Sequence, residues 1–98
     1  MSNAEIAFGP EMTIAQAAAQ RETLLAALAT APAELRLDLA GVADFDSAGV
    51  QLLLAARHSL GETGARLLVT AASPLVRRSL ELFGLAHLLR DGMAREAA

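Results

Sequence analysis

Residues 35–56 read LRLDLAGVADFDSAGVQLLLAA and contain two hydrophobic periods in succession. Apolar and charged residues alternate over 35–39, which predicts a β-strand with one buried face. From Ser47 the spacing becomes helical and continues to about residue 60, where Gly61 is the first of two glycines that end the helix. A strand followed directly by a helix is the unit from which α/β folds are built.

The succession of strands and helices extends toward the N-terminus. Residues 5–8 and 11–14 predict two short strands around a turn, because Gly9 begins a Gly-Pro pair and the flanking residues are apolar or β-branched. The Ala- and Leu-rich segment 15–29 then predicts a helix, for which Thr13 is an available cap.

The succession of strands and helices also extends toward the C-terminus. Residues 65–70 predict a strand, and Ser73 followed by Pro74 predicts the start of a third helix, since serine caps helices and proline is tolerated at the first helical position. We interpret 85–90 as a last short strand and 91–98 as a frayed helical tail.

These elements predict one α/β domain over residues 5–98. We expect a mixed, mostly parallel sheet of four to five strands, joined by right-handed crossovers, with the helices packed mainly on one side. A chain of 98 residues with 54% hydrophobic content supports a single core. We assign no function to residues 1–4, which are compatible with an expression-tag remnant or a disordered start.

The composition argues against several classes of protein. The net charge is −3, all eight basic residues are arginine, and three phenylalanines are the only aromatic residues, so direct nucleic-acid binding is not expected. The longest uncharged runs, 23–33 and 47–56, are shorter than the roughly 18 residues that span a bilayer. With no signal-peptide pattern, we expect a soluble, cytoplasmic protein without membrane insertion.

No catalytic or metal-binding motif stands out. The chain lacks cysteine, and His58 and His87 have no carboxylates at ligand spacing, so we expect no metal site. It also lacks lysine and therefore a P-loop, and Asp46 adjoins Ser47 instead of orienting a histidine as in a hydrolase triad. We expect a protein that is not an enzyme and needs no cofactor.

The helix that begins at Ser47 has two unlike faces. A helical wheel places Val50, Leu53 and Leu54 toward the core, and Ala48, Gln51 and Leu52 at least partly in solvent. The outer face is small and nearly uncharged, which favours a protein partner with Leu52 as its apolar anchor; a singly exposed leucine that needs no explanation is the alternative.

Ser47 itself has two interpretations. Either Asp46 or Ser47 caps the helix by accepting hydrogen bonds from free backbone N–H groups. A phosphoserine at position 47 would also be tolerated, because a helix N-terminus offers backbone donors and a favourable dipole to an anion.

Three motifs in order resemble the STAS domain family, named for sulfate transporters and anti-sigma factor antagonists. They are the LxLDLxGV strand, the DSAG helix start and SPLVRRSLELFGL, and the resemblance covers about residues 6–90. It implies the STAS fold, and it implies that Ser47, directly after Asp46, occupies the position that a partner kinase phosphorylates in the family's antagonists.

The resemblance implies a non-catalytic regulatory domain, an anti-sigma factor antagonist whose partner is an ATP-binding anti-sigma factor and serine kinase. The alternative is a constitutive adaptor in a chemotaxis cluster or on a lipid-transport ABC complex, because Ala48 replaces the second Ser or Thr often found in antagonists. A weak homodimer is also considered. The expected partner-binding residues are Asp44, Phe45, Asp46, Ser47, Ala48, Gln51, Leu52 and Ala55.

Overall fold

The computed structural model describes residues 2–89. The elements are β1 (Asn3–Ala7), β2 (Glu11–Met12), α1 (Ala17–Leu28), β3 (Glu34–Leu39), β4 (Asp44–Phe45), α2 (Ser47–Glu62), β5 (Arg66–Ala72) and α3 (Pro74–Leu82). The order of the elements follows the sequence prediction through α3, except that a second short strand, β4, lies between β3 and α2.

The strands pair in parallel, which confirms the predicted α/β fold with a parallel sheet. Three of them form a sheet in the order β1-β3-β5, and β2 pairs with β4 in a separate two-stranded sheet. In the larger sheet Ile6 lies opposite Leu37, and Leu37 lies opposite Val69. The two N-terminal strands thus do not pair with each other, and the two-residue strand β4 had no signal in the sequence.

The alternation in β3 separates a buried face from an open one. Leu35, Leu37 and Leu39 are fully buried, because α2 packs over this side of the sheet and α1 packs against α2. On the opposite face Arg36 pairs with Glu34 and Glu5. The hydrogen bond from Arg36 to the Glu34 carboxylate raises the pKa of the guanidinium above its ordinary value. The main core therefore lies on one side of the sheet.

Two of the boundaries near the N-terminus differ from the prediction. Strand β1 begins at Asn3, which pairs with Glu34, so residues 3 and 4 are part of the sheet and not a disordered start. Helix α1 begins at Ala17 and has no side-chain cap, because Thr13 instead starts a turn in which its carbonyl accepts a hydrogen bond from Gln16 N at 2.9 Å.

Helix α3 starts as predicted. The hydroxyl of Ser73 accepts a hydrogen bond from Val76 N at 3.3 Å, and Pro74 is the first helical residue. The helix buries Val76 and Leu80 and contacts β4 and β5.

The predicted last strand over 85–90 is wrong for its described part. Residues 87–89 are helical, and Leu85, Leu88 and Leu89 are all buried. Their separation of three and four positions is the spacing of one helical face, so a helical turn buries all three leucines on the core. Arg90 and the predicted tail, 91–98, lie outside the described residues.

Candidate functional site

A groove of about 740 Å³ runs between α1 and α2 and contains six of the eight residues expected to bind a partner. Four more come from α1 and the turn before it. The groove is lined by Ile14, Ala17, Ala18, Arg21, Asp46, Ser47, Ala48, Gln51, Leu52 and Ala55.

The walls are low because alanines face each other across the groove. Ala17 and Ala18 stand on α1, and Ala48 and Ala55 stand on α2. A methyl side chain contributes no polar atom and little height, so the surface between the helices is concave and mainly apolar. Such a surface fits the apolar side chains of another protein.

Asp46 holds the mouth of the groove together. One carboxylate oxygen, Oδ1, accepts a hydrogen bond from Ala48 N at 2.8 Å and thereby caps α2. The other, Oδ2, accepts from Ile14 N at 3.1 Å, which ties the turn before α1 to the start of α2. Both oxygens are engaged within the chain, so this side chain sets the relative position of the two walls.

Ser47 is the first residue of α2 and not its cap. Asp46 has an extended backbone, with φ −123° and ψ −170°, and this places its carboxylate over the helix end. The Ser47 side chain is exposed at the groove and makes no hydrogen bond to residues 2–89. Its hydroxyl is therefore open to a partner or a modifying enzyme.

The expectation that Leu52 is at least partly exposed is wrong. The side chain is only 9% exposed and belongs to the core, while Val50 and Leu53 are buried as predicted and Leu54 is half-buried. The reason is that α2 has two packed neighbours, the sheet on one side and α1 on another, so its buried arc is wider than a wheel facing one sheet implies. Leu52 therefore lies at the base of the groove.

Ile14 takes the exposed apolar position that we expected for Leu52. Its side chain is 77% exposed, although its backbone N–H is fixed by Asp46. Sequence reasoning placed residue 14 at the end of a strand, whereas β2 ends at Met12 and Ile14 lies in the following turn. In the sequence nothing distinguishes Ile14 from the other apolar residues nearby, because its position depends on the tertiary contact with Asp46.

Position 49 of α2 has no space for a side chain. A Cβ atom at this position would lie 2.7 Å from the Phe45 ring and 2.8 Å from the Met12 carbonyl oxygen. Glycine thus allows α2 to approach β2 and β4 closely.

Two of the expected partner residues, Asp44 and Phe45, lie outside the groove lining. Both belong to β4, in which Asp44 is exposed and Phe45 packs beside Gly49.

The groove contains one cation and one anion. Arg21 on α1 and Asp46 at the start of α2 are the charged residues of its lining. Within the described chain Arg21 pairs with Glu22 at 3.9 Å, and both side chains are well exposed. An exposed pair of this kind contributes little to stability, so the guanidinium is not held away from the groove.

The family model described as "Mlab, STAS domain" matches residues 3–90. The chain belongs to the STAS domain family. Among curated proteins, no sequence matches this STAS domain.

Two solved structures are similar to this STAS domain. One is the anti-sigma factor antagonist SpoIIAA in its unphosphorylated form, with 21% identity, a TM-score of 0.80, and coverage of 90% of this chain and 77% of that chain. The other is an anti-sigma factor antagonist from Mycobacterium paratuberculosis, with 27% identity, a TM-score of 0.79, and coverage of 90% and 74%. The first similarity shows that the fold is shared, and both neighbours are named as anti-sigma factor antagonists.

Residues 2–89 contain neither a metal-ligand cluster nor a membrane-spanning helix. No group of three or more His, Asp or Glu side chains in that range is arranged to hold a metal ion. None of the helices there is both long and apolar enough to cross a membrane. His58 and His87 are both exposed and stand apart from the groove.

Proposed function

We propose that this STAS domain is a non-catalytic anti-sigma factor antagonist whose binding to an ATP-using anti-sigma kinase is switched by phosphorylation of Ser47. The proposal rests on the different roles of Asp46 and Ser47 at the start of α2. Asp46 caps the helix and ties the groove together, which leaves the Ser47 hydroxyl exposed and without an internal partner. The STAS family supports this position, because Ser47 directly follows the motif aspartate.

The unmodified groove is the docking surface. Ile14 offers an exposed apolar side chain at its mouth, and the alanines of both walls let a partner side chain reach the base. Such anchors with their surrounding dry contacts provide most of the affinity in protein interfaces. Leu52, being buried, supports the groove from below.

Phosphorylation adds negative charge to this docking surface. The kinase transfers the γ-phosphoryl group of ATP to Ser47 Oγ, the bond from the γ-phosphorus to the bridging oxygen breaks, ADP leaves, and the hydroxyl proton passes to a base of the kinase. The product carries about −1.5 to −2 charge beside Asp46. Burying that charge in a mainly apolar interface is unfavourable, so the complex dissociates.

The docking surface is tested with Ile14→Arg. We expect the affinity for the cognate kinase to fall at least about tenfold, which corresponds to about 1.4 kcal/mol, because an exposed anchor is replaced by a charge. Leu82→Arg is the matched control, since Leu82 is 86% exposed and lies outside the groove. Equal affinities for both variants, measured by calorimetry on folded protein, would show that partners dock elsewhere.

The switch is tested by incubation with the cognate kinase and ATP, followed by intact-mass measurement. We expect one phosphate on the wild type and on Ser59→Ala, and none on Ser47→Ala. Ser59 is the control because it is exposed on the same helix but outside the groove lining. Ser47→Asp should bind the kinase more weakly without loss of fold.

The constitutive adaptor is the second candidate. Two observations favour it: the matching family model is described as Mlab, and Ala48 stands where antagonists often have a second hydroxyl residue. In this role the groove binds its partner permanently and Ser47 is an uncharged contact. A domain that binds tightly, takes no phosphate and is insensitive to Ser47→Asp would establish the adaptor in place of the antagonist.

A further inference from the structure

The helix N-terminus offers little to a phosphate on Ser47. The N–H of Ala48 is bonded to the Asp46 carboxylate, and the N–H of Gly49 is bonded to the Asp46 carbonyl oxygen at 3.0 Å. Of the first three backbone N–H groups of α2, these bonds leave that of Ser47 available to a phosphate. The expectation that a phosphoserine would find several free backbone donors here does not hold, because Asp46 already uses them.

A phosphate dianion has three strong acceptor oxygens and needs further donors. Among the residues that line the groove with Ser47, Arg21 is the one cation. A guanidinium presents a planar fork of N–H donors that matches two phosphate oxygens at once. The donor chemistry that a phosphate at position 47 lacks on α2 is therefore present on the opposite wall.

The helix directions bring Arg21 toward Ser47. Strands β1, β3 and β5 are parallel, so the helices that connect them both return in the same direction and lie side by side, start next to start. The Ile14–Asp46 hydrogen bond fixes this alignment at the groove mouth. Arg21 is four residues, about 6 Å, beyond Ala17 along α1. Side chains on a helix lean toward its N-terminus, here toward Ser47.

We propose that Arg21 is the receptor for the phosphate on Ser47, and that their ion pair bridges α1 and α2 and closes the groove from within. This inference rests on the proposed function, in which Ser47 is phosphorylated. It adds a structural step to that function: the phosphorylated domain rejects its partner both because a charge is present and because the guanidinium occupies the docking groove. Giving up the exposed contact with Glu22 costs Arg21 little.

The test uses the full chain with phosphoserine installed at position 47 during synthesis, so that no kinase is needed. Titration of the phosphate by ³¹P NMR measures its second pKa, which is ordinarily about 6. Arg21 lowers this pKa by favouring the dianion, whereas Asp46 in the groove and nearby Asp44 raise it equally in every variant. We expect Arg21→Gln to raise the phosphate pKa by about half a unit, roughly a threefold change in the dissociation constant.

Arg77→Gln is the matched control, because Arg77 is exposed on α3 and outside the groove. It should leave the phosphate pKa unchanged, and Arg21→Lys should retain part of the wild-type effect. Identical titrations for the wild type and Arg21→Gln, in chains with the same circular dichroism spectrum, would overturn the assignment of Arg21.

Failure of the proposed function has a different signature. In that case the phosphorylated wild type binds the kinase as tightly as the unmodified chain does, whatever its titration shows. A loss of binding together with identical titrations would leave the switch in place and exclude Arg21 from it.

Discussion

Helices α2 and α3 both begin with serine near their first turn, yet the two serines have opposite roles. At α3 the hydroxyl of Ser73 caps the helix by accepting from Val76 N, and the residue is half-buried. At α2 the cap is Asp46, and Ser47, one position later, is exposed and has no internal hydrogen bond in the described chain. A serine at a helix start is thus available for regulation where a neighbour already satisfies the helix end.

The third helical position shows the largest contrast between the two starts. It is Val76 in α3 and Gly49 in α2, where a Cβ would approach the Phe45 ring and the Met12 carbonyl oxygen. We expect Gly49→Val to lower the free energy of unfolding by about 3 kcal/mol, because backbone cannot move aside as a flexible side chain does. Urea denaturation followed by circular dichroism measures this.

Gly61→Val is the matched control in the same helix, since a Cβ at Gly61 has no atom within 4 Å. Its effect should stay within about 0.5 kcal/mol, because valine and glycine differ little in helix propensity. Equal destabilisation by both variants would mean that Gly49 is required for a reason other than close packing.

The second contrast is between caps with one and two bonds. Asp46→Ala removes the bonds to Ala48 N and Ile14 N, and we expect a loss of about 2 kcal/mol. Hydrogen exchange at the Ile14 amide should accelerate as well. Asp44→Ala, an exposed carboxylate two residues earlier, should change stability by less than about 0.5 kcal/mol. Similar losses for both aspartates would contradict the tethering role of Asp46.

The smallest effects separate the two serines directly. Ser73→Ala should cost about 1 kcal/mol as a lost cap, whereas Ser47→Ala should cost less than about 0.5 kcal/mol. Thermal or chemical unfolding of both variants in one buffer makes the comparison. A larger loss for Ser47→Ala than for Ser73→Ala would mean that the Ser47 hydroxyl has a structural role, which would weaken the proposed switch.

Much of the fold could be predicted from local pattern. Period-two alternation identified β3, helical spacing identified α2, and the Ser73-Pro74 pair identified the start of α3. Strand β4 could not be found, because two residues carry no periodicity. The predicted strand over 85–90 was wrong because leucine favours helices and the leucines of 85–89 have helical spacing, which buries all three on the core.

The candidate site was predictable on one wall only. Six of the expected residues line the groove because they are close in sequence along α2. The wall formed by α1 depends on helix–helix packing, which a wheel drawn for one helix does not include. The same omission led to the wrong exposure for Leu52 and hid Ile14, whose position depends on a hydrogen bond across 32 residues.

Parallel pairing also has a consequence for how the chain folds. Partners in the three ladders lie 31 to 33 residues apart, as in Asn3 with Glu34, Glu11 with Asp44, and Glu34 with Arg66. The strands of residues 2–89 form no hairpin that could fold early and locally, so each ladder must wait for a crossover helix to bring its strand back. On a ribosome, the central strand β3 has one neighbour until residues 66–72 emerge from the exit tunnel. Helix α2 emerges before β5 but packs on that strand, so until then the leucines of β3 are incompletely covered and the nascent domain is most exposed to aggregation.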